Sequence, residues 1–506
     1  MQMSLDPRGA PRHQQIYDAL RTAILNGTLR RGERLPSSRV LANDLGVSRT
    51  TVLGAFTRLL AEGLVTGNTG AGTRVAMIPA NGVAATATRA PRGAEHAGTR
   101  NALRPLSPAA GDPPWLSDAA RVMFAEGRWR RIPTKAIPFA SGIPALELFP
   151  VTTWTRLAAR RWRLSGRELL LPDDSQGYAP LREAIARYAV TARGVRCTAE
   201  QIVIVNGAQH ALDLCARLLV GPGDDVWMEY PGYSPARGVF AAAGARLVDV
   251  PVDRDGLDVA RGCELAPAAR LALVTPSFQS PLGVTMSLER RLALLEWART
   301  SNAWIVEDDY NGEYRYDTAP IPAMQGMDTS GRVLYIGTFS KTLSPAIRLG
   351  YLILPPEMAP EFARARLILD RHSPVPEQAI LADFISSGHF ARHIRRTRAL
   401  YLQRQRAFTT LAARELEGLV RVDGAVAGLW LVGWLPRGVV DLDVVDEART
   451  RGVVVVPMSG YHGGSQDGSG LLFGYAPYSP AQMRVAMREL AAAIRTVQAR
   501  ALHTAG

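Results

Sequence analysis

Lysine is nearly missing from this chain: of its 59 basic residues only Lys135 and Lys341 are lysines, and the rest are arginine. Cysteine is scarce too. Cys197, Cys215 and Cys263 are spaced too widely for a metal knot, and an odd number argues against a disulfide framework. A reducing, cytoplasmic setting is therefore expected. No stretch of about 18 uninterrupted apolar residues occurs, so no membrane span is read. The opening MQMSLDPRGAPRHQQ has no apolar run of the kind a signal peptide carries. Length, apolar matter and positive charge are plentiful instead. The 506 residues exceed one domain and predict two or three. With 47% hydrophobic residues a full core is available, and a net charge of +13 suits a polyanionic partner.

Composition divides the chain in three. Residues 11–78 form a compact basic unit. Residues 79–135, rich in Ala, Pro, Gly and Arg, show no sustained periodicity and read as a linker, flexible at its start and ordered against a domain near Trp115–Trp129. From 136 to the end, short β-branched runs (IVIVNG, DDVWMEY, ARLVDVPV, RLALVTPS, AWIVEDDY, VLYIGTF, LGYLILP) alternate with helical stretches. Such alternation predicts an α/β fold, a largely parallel sheet covered by helices.

In the basic unit, QIYDALRTAILNGTL places Ile16, Leu20, Ile24 and Leu29 at helical spacing, closed by Gly27. Ser37 or Ser38 then caps a short helix carrying Val40, Leu41 and Leu45. Gly46 makes a turn, and Ser48 caps a second helix with Val52, Ala55, Phe56, Leu59 and Leu60 inward. Two helices so joined, the second opening Ser-Arg-Thr-Thr, predict a helix-turn-helix. Its first turn, with Arg49, Thr50 and Thr51, is placed to reach base edges in a major groove. Arg39 and the amides near Ser37 suit phosphates. LVTGNTGAGTRVA reads as a hairpin with a Gly-rich tip, a wing. A small helical domain with an arginine-coated surface is the bland alternative.

Lys341 lies in GTFSKTLSPAIRLGY, among the hydroxyls of Thr338, Ser340, Thr342 and Ser344 and seven residues before Arg348. A lysine amine condenses with a carbonyl when it is neutral, and burial near another cation such as Arg348 lowers its pKa. A phosphate-bearing aldehyde would explain the surroundings, with Thr338 and Arg348 as phosphate anchors. VEDDYNGEYRY supplies the paired acids Asp308 and Asp309, then Tyr310. VNGAQHALDLCARLL is a strand, a glycine and a helix start, where Gly207, Ala208 and Gln209 offer amides to a phosphate. EYPGYSPAR gives Tyr233 after a Pro-Gly turn, an aromatic face able to stack on a flat ring.

Two resemblances follow from these motifs. Residues 11–78, with LPSSRVLA, GVSRTTV and LLAEGL, resemble the winged helix-turn-helix of the GntR family of bacterial transcription regulators. From FASGIPALELFP through QGYAPLREAIARY to the end, the chain resembles the fold-type I aminotransferases, which implies a large mostly parallel-sheet domain with a smaller α+β domain. Their fusion is the layout of the MocR subfamily. The resemblance implies pyridoxal 5'-phosphate as cofactor, covalently held by Lys341. It implies Asp308 at the ring nitrogen, Tyr310 and Ser280 near the ring oxygen, and Tyr233 stacked on the ring. Ala208, Gln209, Thr338 and Arg348 would hold the phosphate. It also implies a homodimer whose two heads hang on linkers of roughly fifty residues, spanning about 40 Å, close to the ~34–36 Å between half-sites one helical turn apart.

Three departures bear on function. Leu472, in GLLFGYA, falls where the family carries an arginine that clamps a substrate carboxylate. Ser280, in PSFQSPLG, replaces the usual asparagine or aromatic, and Pro172 replaces a tyrosine that reaches the neighbouring subunit's phosphate. Two functions compete: a transcription regulator that binds a double-stranded DNA operator and senses pyridoxal phosphate or an amine, and an aminotransferase with an accessory DNA-binding head. Without the clamp, efficient amino-acid turnover is not expected, because positioning alone accounts for about 7–11 kcal/mol of a barrier. The regulator is favoured.

Overall fold

The computed structural model describes residues 6, 10–30, 32–68, 72–76, 115–127, 138–316, 322–422, 424, 427–461 and 468–504. They fall in two compact units, divided near residue 100. Most of the expected linker, its residues 79–114 and 128–135, lies outside the described residues, as does the tip of the wing at 69–71.

In the first unit three helices, Arg12–Leu25, Ser38–Asp44 and Arg49–Ala61, precede an antiparallel pair, Val65–Asn68 with Gly72–Val75. The apolar stripe of the first helix closes on that of the third, so Ile16, Leu20, Val52, Ala55 and Leu59 are buried together. Leu60, expected inward, is 44% exposed, and Val40 is 51% exposed. The buried arc of the third helix is centred on Val52, Ala55, Phe56 and Leu59, and at 3.6 residues per turn Leu60 lies at its rim.

The second unit is built on an eight-stranded sheet. Its spatial order is Ile202–Val205, Gly350–Ile353, Val333–Thr338, Trp304–Asp308, Leu271–Val274, Asp225–Tyr230, Arg246–Asp253 and Gly256–Leu257. The strands Ile202–Val205, Leu271–Val274 and Val333–Thr338 are buried at every residue, as sheets covered on both faces require. Pairing is parallel through the middle; Gly350–Ile353 runs antiparallel to both neighbours, and Gly256–Leu257 to its own. A smaller four-stranded antiparallel sheet, Arg421–Val422, Trp430–Trp434, Gly470–Gly474 and Val456–Pro457, packs with the helices His389–Glu415, Asp441–Thr450 and Pro480–Thr504. This is the α/β large domain with a smaller α+β domain.

Chain direction in the large sheet decides where chemistry can gather. Five parallel strands end on one edge, delivering Gly207–Gln209, Tyr233, Ser280, Asp308–Tyr310 and Thr338–Lys341 to it. The reversed strand Gly350–Ile353 begins at that edge and brings Arg348 to the same place. Crevices at the carboxyl ends of such sheets are where ligands bind. No helix among the described residues is long and apolar enough to cross a membrane.

Candidate functional site

Lys341 follows its strand by three residues, and its Nζ donates to the Gly142 carbonyl at 2.9 Å. A Cβ on Gly142 would stand 2.8 Å from that nitrogen, so a side chain there would crowd the amine. Burial disfavours the ammonium and brings Lys341 down to about 8, while Asp308 pulls upward. Of the two expected causes burial acts and Arg348 does not; the Arg348 guanidinium is turned to Asn206 and Gly207.

Asp308 ends its strand fully buried, and its Oδ1 has no hydrogen-bond partner. Desolvation pushes it up to about 7, with Asp309 and Glu229 adding and Lys341 opposing. An orphaned buried carboxylate oxygen is costly and fits a donor from a ligand. Asp309, its apparent twin, belongs elsewhere. Its Oδ2 accepts from Arg193 Nε and from the Tyr335 hydroxyl, both at 2.7 Å, with Arg193 2% exposed. Asp309 is thus tied into the fold by a buried ion pair, although its Oδ1, like that of Asp308, has no hydrogen-bond partner.

At the other end of the site, Gly207 takes φ +93 before the helix Ala208–Leu219, and a Cβ on it would lie 3.3 Å from both Nη atoms of Arg348. Arg348 donates to the Asn206 carbonyl at 2.6 Å and sits at φ +53, a strained position for a residue with a side chain. Gln209 donates to the Pro235 carbonyl at 3.0 Å, leaving its Oε1 buried and unpartnered. Thr338 Oγ1 accepts from the Ser340 amide at 3.2 Å. Guanidinium, glycine and helix start together make an anion cradle.

Between the two ends lies Tyr233, at the N-cap of the helix Ser234–Ala242. Its phenol is pushed up by desolvation, then by Asp308, and pulled back by Arg348. Tyr310 donates to the Phe278 carbonyl at 2.8 Å and its ring stacks on Trp430 of the small domain, 5.6 Å away and 4° from parallel. Ser280 is buried beside it, its amide on Thr275 Oγ1 at 3.1 Å. Leu472 is buried mid-strand, in register with Val432 and Val456, so that position carries no cation. Pro172 is exposed, two residues past the turn Glu168–Leu170.

Sequence reasoning missed Glu229 and Trp430. Glu229 is buried, accepting from the Thr275 amide at 2.9 Å, the Thr275 hydroxyl at 2.5 Å and Gln279 Nε2 at 3.1 Å. Desolvation pushes it up to about 7. The residues present fit pyridoxal phosphate: an unpartnered acid for a ring nitrogen, an aromatic face, a partly neutral amine and an anion cradle occupy one edge.

In the first unit, Ser37 caps the second helix, accepting from the Val40 amide, and Ser48 caps the third, accepting from the Thr51 amide at 3.2 Å. Arg39, Arg49 and Thr50 are exposed. Arg49 Nε reaches Ser38 Oγ at 3.3 Å, which ties the two helix starts together. The Thr51 hydroxyl is already 2.8 Å from Ser48 Oγ, so Thr50 is the freer hydroxyl for a base edge.

Residues 134–490 match the family model for aminotransferase class I and II, and residues 12–75 match that for bacterial regulatory proteins of the gntR family. The chain is 42% identical to a probable rhizopine catabolism regulatory protein MocR of Rhizobium meliloti, covering 96% of this chain and 94% of that one. It is 29% identical to the pyridoxine biosynthesis regulator PdxR of Corynebacterium glutamicum, covering 95% of each. Among solved structures it resembles the α-aminoadipate aminotransferase LysN of Thermus thermophilus, complexed with N-(5'-phosphopyridoxyl)-L-leucine. That match has TM-score 0.67 and 28% identity, over 72% of this chain and 94% of the other.

Proposed function

The chain belongs to the MocR-type regulators, a gntR-family head joined to an aminotransferase class I and II domain, and from that premise we propose how it senses and what it senses. It is a pyridoxal-phosphate-linked, DNA-binding transcription regulator. The proposal is that Lys341 captures the cofactor, that cofactor or an amine exchanged onto it is the signal, and that residues 11–78 report it to an operator. A homodimer and a cytoplasmic location belong to the same reading. Support for a second copy comes from large apolar side chains left open on this unit: Leu164, Leu170, Leu171 and Ile368 are each more than 60% exposed.

When bound, the cofactor supplies an electrophilic aldehyde, an electron-withdrawing ring and a phosphate. The chain's own residues do the rest. Gly142 accepts a hydrogen bond from the Lys341 amine and leaves it room, and desolvation keeps part of that amine unprotonated near neutral pH. Asp308 would offer its free Oδ1 to a ring N–H, Tyr233 would cover the ring, Arg348 would balance the phosphate charge, and Thr338 with the Ala208 and Gln209 amides would donate to it. The observation that carries the reading is the juxtaposition of an orphaned Asp308 oxygen with a desolvated Lys341.

Turnover as an aminotransferase is the weaker reading. Leu472 is packed between Val432 and Val456, so no guanidinium there grips an amino-acid carboxylate. The two regulators in the comparison are named for rhizopine catabolism and for pyridoxine biosynthesis, and an amine or the cofactor itself remain the two signal classes compatible with this site.

The test is spectroscopic. Protein loaded with pyridoxal phosphate should be yellow, and borohydride should fix the cofactor to the peptide containing Lys341. Lys341→Ala should stay folded and lose the covalent adduct. A wild type that stays colourless in excess cofactor removes the proposal.

A further inference from the structure

The helix Asp118–Glu126 lies in the stretch that composition alone reads as linker. Ser117 caps it, its Oγ accepting from the Ala120 amide at 3.3 Å. It docks on the helix Ser234–Ala242 through two glycines. A Cβ on Gly238 would meet the Met123 carbonyl at 2.6 Å and the Gly127 Cα at 2.8 Å, both backbone atoms that cannot swing aside. The contact is closed at its edge by Arg237, which reaches Glu126 at 3.1 Å and also pairs with Asp249. Main chain therefore touches main chain, with no side chain between to absorb a displacement.

The first turn of that same helix belongs to the cofactor site. Tyr233 is its N-cap, and Gln209 of the anion cradle donates to its Pro235 carbonyl at 3.0 Å. Ser234 donates to the Gly460 carbonyl of the small domain at 3.1 Å. Helix Ser234–Ala242 is thus a rod of about 13 Å, at ~1.5 Å per residue. Ring face, phosphate cradle and small domain hold its first turn, and the chain leading back to the DNA-binding unit sits against its middle, at Arg237 and Gly238.

We propose that helix Ser234–Ala242 is the transmission element of this regulator, passing the state of the cofactor site to helix Asp118–Glu126 through the Gly238–Gly127 contact. This rests on the reading of the chain as a cofactor-linked regulator. Close-packed interiors pass strain rather than dissipate it, so a shift of Tyr233, Gln209 or Gly460 tilts the rod and the docked helix follows. Coupling requires that the helix dock differently in the two cofactor states.

Two variants test this, neither in the cofactor site: Gly238→Val, which forces the helices apart, and Glu126→Arg, which breaks the half-buried ion pair at the edge of the contact. Each is loaded with pyridoxal phosphate, checked for its visible spectrum and for borohydride labelling of Lys341, and titrated in apo and holo form on a duplex selected from a random pool. Hydrogen exchange over 118–126 reads docking directly. Both variants should keep wild-type spectrum and labelling. Exchange over 118–126 should speed up, and the ratio of holo to apo affinity should fall to about one, the value for no linkage. If Gly238→Val leaves 118–126 as protected as in wild type, the glycine contact is not required and the proposal fails. If the helix undocks in both variants and the affinity ratio stays at its wild-type value, the relay is overturned and the sensing function stands. A wild-type ratio of one removes the sensing function and the relay with it.

Discussion

Lys341 and Asp308 share one desolvated edge and oppose each other. Burial lowers the lysine to about 8 and raises the acid to about 7, and each charged form favours the other. Only the neutral amine attacks an aldehyde, so the initial rate of cofactor capture should rise as pH climbs through about 8 and level off above it. Asp308→Asn removes the charge that raises the lysine pKa, and its capture profile should move to lower pH. A stopped-flow pH series on both proteins checks the sign; an unmoved profile means the two groups do not interact. In the DNA-binding unit, Arg49→Ala should cost about 1–3 kcal/mol on the selected duplex and relax its sequence preference. Arg39→Ala should weaken all duplexes and lower the salt slope by about one. Equal losses for Arg49→Ala on selected and random DNA would refute its role in reading bases. Lys341 was legible because lysine is so rare in this chain and hydroxyls surround it. Glu229 was not: a glutamate within a strand gives no sign of burial, and its partners Thr275 and Gln279 lie 46 and 50 residues along the chain.

Strands of the large domain were the most legible elements, because β-branched runs buried on both faces leave a continuous apolar signature. The direction of Gly350–Ile353 was not legible, since antiparallel insertion leaves no mark in its own residues. Nor was the helical form of Asp118–Glu126, within the stretch expected only to be ordered against a domain, since its packing rests on glycines and leaves no apolar stripe to read. One buried ion pair joins elements, and removing one partner should be costly. Arg193 ends the helix Ala179–Arg193 and grips Asp309, the Gly312 carbonyl at 2.9 Å and Ser277 Oγ at 3.1 Å. Arg193→Met leaves the Asp309 carboxylate buried without its cation and should cost about 3–5 kcal/mol. The midpoint of denaturant unfolding measures it; a shift corresponding to less than about 1 kcal/mol would mean that water or a rearranged neighbour replaces the guanidinium. Ser48→Ala, which removes only a helix cap, should cost about 1 kcal/mol by the same assay.

The chain has two units with separate cores, and the proposed function requires that the ligands of the two be linked. Linkage is reciprocal: if pyridoxal phosphate changes affinity for the operator by some factor, the operator changes affinity for pyridoxal phosphate by the same factor. The most direct measurement is therefore a pair of titrations of wild-type protein at fixed salt. Labelled operator duplex is titrated with apo and with cofactor-loaded protein, and cofactor is titrated into protein with and without duplex. The account predicts two displaced curves in each pair, displaced by equal factors, and a displacement lost in Lys341→Ala. Superimposed curves in both pairs would show that the cofactor site and the DNA-binding unit do not communicate, and would contradict the account.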